Sequence, residues 1–165
     1  MGMTGHGDDG PELSSLQDLY QHVILDHYRR PRNKGPLADA THTLTLNNPL
    51  CGDVIDLMLK VECDSIAAVH FQGRGCSISQ ASASMMGSIL RGRRVAEALR
   101  IMDTFTRMLH GDTEAADDAD LGDLRALAGV SKFPIRVKCA LLAWNCLEEL
   151  VGPEGLPEVS PVNDV

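Results

Sequence analysis

The chain has 165 residues, 44% of them hydrophobic and only 4% aromatic, and a formal net charge of −8. That length and apolar fraction suit one domain around one core packed mainly by aliphatic side chains. The acidic balance argues against a nucleic-acid binder, which needs a basic face for phosphates, and no apolar stretch approaches the ~20 residues of a membrane span.

The opening "MGMTGHGDDGPE" has neither a basic head nor an apolar run, so 1–13 reads as a disordered tail rather than a secretory signal. Ser14 or Ser15 is expected to cap a first helix, in which Leu16, Leu19, Tyr20, Val23, Ile24 and His27 recur at helical spacing until "RRPRNKGP" breaks it. "HTLTLN" at 42–47 alternates like a short strand. After the turn "NNPLCGD", Ile55, Leu57, Leu59 and Val61 alternate with Asp56, Met58, Lys60 and Glu62, the pattern of a half-buried strand. "CDS" turns the chain back through "IAAVHFQG", with Ala67, Val69 and Phe71 sharing a face.

The remainder reads helical. Ser77 as N-cap and Gln80 three residues later form a capping-box pattern. Ile78, Ala81, Met85, Ile89 and Leu90 make one apolar stripe, and Val95, Ala98, Leu99, Met102 and Met108 another. The acidic run at 111–123 is expected to be a solvated loop or a frayed turn. A last helix has Pro134 in its first turn and Val137, Ala140, Leu141, Trp144, Leu147 and Val151 as its buried side. The order is helix, three antiparallel strands, then helices. It predicts an α+β fold with about five helices, one domain over 14–151 and a tail at 152–165.

Five cysteines stand at 51, 63, 76, 139 and 146, with no C-x-x-C pair. The odd count and the absence of an export signal point to a reducing, cytoplasmic setting. Cys51 and Asp53 sit two apart at a strand start and project from one face. Cys63 lies about 33 Å away at the other end of that strand and belongs to structure. If the hairpin turns near Asp64, paired positions sum to about 128, so residue 76 returns beside residue 52. Cys76 also opens a helix, where unpaired amides and the macrodipole favour thiolate. Of the last-helix thiols, Cys139 is flanked by the cations Arg136 and Lys138, and Cys146 lies two turns on, about 10.5 Å along the axis. Spacing leaves open which of the two meets the strand cysteines, and it leaves a metal site and ordinary core cysteines both standing.

The blocks "YQHVILDHYRRPRNKG", "NNPLCGD", "FQGRGCSISQASASMM" and "GVSKFPIRVKCALLAW" together resemble the U-type iron–sulfur cluster assembly proteins, over roughly residues 16 to 151. The resemblance implies a compact α+β fold and a site made of Cys51, Asp53, Cys76 and Cys139. In the IscU-type scaffold branch a histidine precedes the last cysteine, and the acidic segment here at 111–130 is shorter. With Lys138 at that position, this chain is closer to the SufU-type branch.

That branch implies a Zn²⁺-dependent sulfur acceptor and sulfurtransferase. Cys51 would take persulfide sulfur from a SufS-type cysteine desulfurase and pass it to a downstream Suf cluster-assembly scaffold, with Arg136 as a supporting cation. A dedicated monomer with no nucleic-acid or membrane partner is the corresponding expectation. The alternative is a scaffold that builds an iron–sulfur cluster on the same residues. A structural zinc domain that only binds a partner is a plainer rival. A cysteine–histidine hydrolase lacks support, because His22 and His27 read as packing or surface and His42, His70 and His110 have no ligand residue at a matching spacing.

Overall fold

The computed structural model describes residues 9–153, with side chains described from Gln17 onward. The outer parts of the expected tails, 1–8 and 154–165, lie outside the described residues. Helix α1 (Asp9–Arg29) starts ahead of the expected cap at Ser14 or Ser15, so part of the expected N-terminal tail is helical. The strands β1 (His42–Asn48), β2 (Asp53–Glu62) and β3 (Ser65–Arg74) form one antiparallel sheet with β2 in the middle. Helices α2 (Ser77–Leu90), α3 (Val95–Leu109) and α4 (Pro134–Val151) complete the α+β plan.

The sheet register positions the site. Asn48 pairs with Asp53 and Val54 pairs with Arg74, so the β1–β2 turn and the exit from β3 into α2 share one edge of the sheet. The constant-sum pairing holds from Val54↔Arg74 to Lys60↔Ala68 and then slips by one, at Val61↔Ile66. Ala67 is the extra residue of a β-bulge, which flips the alternation. Ile66 is therefore fully buried and Ala67 exposed, a correction to the expectation that Ala67 shares the inner face of Val69 and Phe71. Cys63 and Asp64, both at positive φ, form the two-residue turn at the far end of the hairpin.

Periodicity understated how deeply two helices are buried. From Ser79 to Gly87 every residue of α2 is buried, including the fully enclosed Met85 and Met86, so "ASASMM" is core and no docking stripe. Its small hydroxyls permit this because each finds a partner. The Ser82 hydroxyl donates to the Ala140 carbonyl at 2.6 Å and accepts from the Trp144 indole at 3.1 Å. The Ser84 hydroxyl accepts the Arg32 backbone N–H at 2.8 Å and lies 2.7 Å from His27 Nδ1. His27 also reaches Asp123 at 2.9 Å through Nε2, which makes it a buried tie between α1, α2 and the segment before α4. In α4, Leu142, Ala143, Cys146 and Leu150 are buried beside the expected Val137, Ala140, Trp144 and Leu147, whereas Leu141 and Val151 are only half-buried.

Residues 111–123 are mostly exposed, as expected of an acidic loop or short turn, with Ala115 and Leu121 buried, and an ordered segment continues beyond them. The whole stretch folds into two 3₁₀ segments, Ala115–Asp117 and Ala119–Lys132, the second kinked at Gly122. Leu121, Leu124, Leu127 and Val130 recur every third residue and are all buried. A 3₁₀ turn of three residues stacks i and i+3 on one side, so this spacing makes an apolar ridge against the core. The acids face outward and are used: Arg100 pairs with Asp120 at 2.8 Å and Arg107 with Asp112 at 3.0 Å. No helix among the described residues is long and apolar enough to cross a membrane.

Candidate metal centre

Four residues bridge β1 and β2, and Asn48 organises them. Its carbonyl accepts the N–H groups of Cys51 at 3.2 Å and Gly52 at 2.8 Å, and its side-chain oxygen accepts that of Leu50 at 3.1 Å. Gly52 closes the turn at φ 74, a left-handed conformation that glycine adopts without strain. The turn leaves Cys51 exposed at its tip and carries Asp53 into the interior, 1% exposed.

Asp53 meets the return of the chain. Its Oδ1 accepts the Cys76 backbone N–H at 2.9 Å, and its Oδ2 lies 3.5 Å from Cys76 Sγ. Cys76, not Ser77, is the N-cap of α2: its extended backbone is held by Asp53, and its sulfur accepts the Ser79 N–H at 3.5 Å. The helix thus begins one residue earlier than expected. Cys76 is exposed.

From the opposite side α4 supplies Cys139, 2% exposed, with its sulfur 3.0 Å from Cys51 Sγ. Cys146 faces elsewhere, toward the Ile55 carbonyl at 4.0 Å, and burial pushes its thiol up to about 12. The fold therefore chooses Cys139 over Cys146 as the α4 thiol beside the strand cysteines. Cys51, Asp53 and Cys139 present ligand atoms that all lie within 4.8 Å of one another; Cys76 stands outside that group and touches it only at Asp53, whose Oδ2 is 3.5 Å from its sulfur.

Two cations flanking Cys139 in sequence would be expected to favour its thiolate, and the structure corrects this. Arg136 and Lys138 both point to solvent, and the Arg136 guanidinium lies over the Phe133 ring, 5.3 Å from its centroid. Burial first, and then hydrogen bonding to Cys51 and Asp53, push the Cys139 thiol well above its ordinary range. A cation bound among these groups would have to displace that proton. Arg136 and Cys76 line the same cleft, together with Ile24, Ile78, Val130 and Phe133. Leu50, Phe133 and Ile135, next to the site in sequence, are large apolar side chains left 66%, 51% and 58% exposed.

The donor chemistry fits a tetrahedral Zn²⁺. Three sulfurs and a carboxylate are within its usual ligand set, and Zn–S bonds of about 2.3 Å set sulfurs roughly 3.8 Å apart. The 3.0 Å between Cys51 and Cys139 opens to that value by less than an ångström, on an exposed turn. The same donors also suit an iron–sulfur cluster. Asn48 carries no mark of this role in composition or spacing beyond standing directly before Pro49, where an asparagine side chain can close a turn on the backbone two residues on, as it does to Leu50.

The profile of the NifU-like N terminal domain matches residues 19–140. The zinc-dependent sulfurtransferase SufU of Bacillus subtilis is 48% identical over 86% of this chain and 95% of its own length. The iron–sulfur cluster assembly scaffold protein IscU of Streptococcus pyogenes is 46% identical over 84% of this chain and 86% of its own. Among solved structures, a protein of Fervidobacterium islandicum, described as a cluster assembly scaffold for the SUF system, superposes with a TM-score of 0.69 at 32% identity, over 80% of this chain and 96% of that one.

Proposed function

Because the chain belongs to the NifU-like N-terminal domain family, we propose that it is a zinc-dependent sulfur acceptor of iron–sulfur cluster biogenesis, working with a SufS-type cysteine desulfurase. Cys51, Asp53, Cys76 and Cys139 would hold the ion. The observation that carries this reading is the exposed Cys51 sulfur standing 3.0 Å in front of the buried Cys139 sulfur, at the edge of the Asp53–Cys76 pair. Cys51 is exposed at the tip of its turn, whereas Cys76, also exposed, is tied to Asp53 and Cys139 is buried.

Zinc bound there would keep the thiols in their thiolate form and shield them from oxidation. The residues supply the rest. Leu50, Phe133 and Ile135 offer apolar contact for the desulfurase around the site. The Cys51 thiolate attacks the outer sulfur of the partner's cysteine persulfide. A new S–S bond forms to Cys51, the S–S bond to the partner's cysteine breaks, and that cysteine departs as thiolate. Cys51 then carries the persulfide to the cluster-assembly machinery. Arg136, at the mouth of the Cys76 cleft, is a supporting cation for the incoming anionic sulfur.

The test is desulfurase turnover with the wild-type chain against Cys51→Ala. Stimulation by wild type and none by the variant is expected; undiminished stimulation by Cys51→Ala removes the acceptor role. The scaffold reading keeps the support of the 46% identity to an IscU scaffold protein and of the 32% identical solved structure described as a scaffold for the SUF system. Metal analysis separates the two, since colourless protein with one zinc per chain supports transfer and brown protein with iron and sulfide supports the scaffold.

A further inference from the structure

Asn48, the last residue of β1, is 7% exposed. The orientation of its amide is fixed, because Oδ1 accepts the Leu50 N–H and a flipped amide would set two donors against each other. The NH₂ end is thereby aimed at the two closest sulfurs, 3.5 Å from Cys51 Sγ and 3.9 Å from Cys139 Sγ. It carries two hydrogens, one for each.

An N–H···S bond strengthens as negative charge on the sulfur grows. It is stronger to a free thiolate than to a sulfur sharing its charge with a cation, so it favours release of whichever thiol it serves better. The shorter contact goes to the exposed Cys51 and the longer to the buried Cys139. We infer that Asn48 is a positioning residue that selects Cys51, rather than Cys139, as the exchanging sulfur of the site. This rests on the reading above that these thiols hold a metal ion.

The experiment uses the full chain loaded with Co²⁺, whose thiolate charge-transfer band reports the electron richness of the sulfurs. Asn48→Ser supplies a hydroxyl that can accept the Leu50 N–H in place of the amide oxygen but is too short to donate to the sulfurs. Asn48→Asp keeps the acceptor and sets an anionic oxygen where the donor was. The band is expected to move to lower energy in the order wild type, Asn48→Ser, Asn48→Asp. Iodoacetamide labelling of Cys51 in the loaded protein is expected to slow about tenfold, within the range for groups behind metal ligands.

A residue that only shaped the turn would give the opposite result, faster labelling from a loosened Cys51. An unmoved band, faster labelling, or failure of both variants to fold overturns the inference. Wild-type protein that takes up no Co²⁺ sinks the metal-site reading itself, whereas bound Co²⁺ with an unmoved band sinks only the role of Asn48.

Discussion

One carboxylate, Asp53, holds both ends of Cys76: its Oδ1 accepts the backbone N–H at 2.9 Å, and its Oδ2 stands 3.5 Å from the sulfur. The start of β2 is thereby fastened to the N-terminus of α2. Gly75 makes the approach possible, since a Cβ there would meet Asp53 Oδ1 directly and the Ser79 hydroxyl at 2.7 Å.

Gly75→Ala is therefore expected to push the Asp53 carboxyl off the Cys76 amide. Leaving that amide without its partner costs about 1–3 kcal/mol, and displacing a ligand's support weakens metal binding at least about tenfold. Urea unfolding of the metal-free protein and chelator competition measure the two effects. Wild-type values in both would mean that the wall around Gly75 yields freely.

The convergence of Cys51, Asp53 and Cys76 was legible because antiparallel pairing is a constant-sum rule, and Val54↔Arg74 obeys it next to the site. Two things were not legible. A bulge adds one residue without any marked composition, so Ala67 and Ile66 exchanged faces. Spacing hid the choice between Cys139 and Cys146, which the family resemblance alone supplied, because α4 is buried around much of its circumference and an apolar period ranks faces only when one of them is wet.

The bulge gives a clean contrast between neighbours. Ile66→Ala removes a fully buried side chain and is expected to cost about 2–5 kcal/mol. Ala67→Thr adds a β-former to an exposed position and is expected to stay within about 0.5 kcal/mol of wild type. Denaturant midpoints of both variants check this. The reverse ranking would restore the unbulged register.

Asp26 links the last turn of α1 to the basic stretch after it, accepting from Arg30 Nε at 2.9 Å and Arg32 Nη2 at 2.6 Å. The hydrogen bond from Arg30, and then that from Arg32, lower its carboxyl from 3.8 to about 2. A group whose pKa falls on folding stabilises the fold above its unfolded value and loses that contribution as pH drops through the folded one. The stability gap between wild type and Asp26→Asn is thus expected to be complete at neutral pH and to close between about 4 and 2. It is also expected to shrink with added salt, since the pair is solvent-exposed. An NMR titration of the Asp26 carboxyl carbon with a midpoint near 4 would contradict the assignment.

Ser82 fixes the second wall of the site. Its hydroxyl joins α2 to the Ala140 carbonyl of α4, one residue beyond Cys139, and receives the indole N–H of Trp144. All three residues are fully buried, and the Trp144 ring packs 5.2 Å from that of Phe105. Ser82→Ala leaves the indole N–H with no water to replace its partner, an expected loss of about 1–3 kcal/mol. Trp144 is the only tryptophan, so its emission should shift to shorter wavelength when that hydrogen bond goes. Because Cys76 caps α2 and α4 carries Cys139, slack between these helices also spreads the two thiols, and metal affinity should fall with stability. A variant that loses stability with unchanged metal affinity would show that Cys139 is held by Cys51 and Asp53 alone.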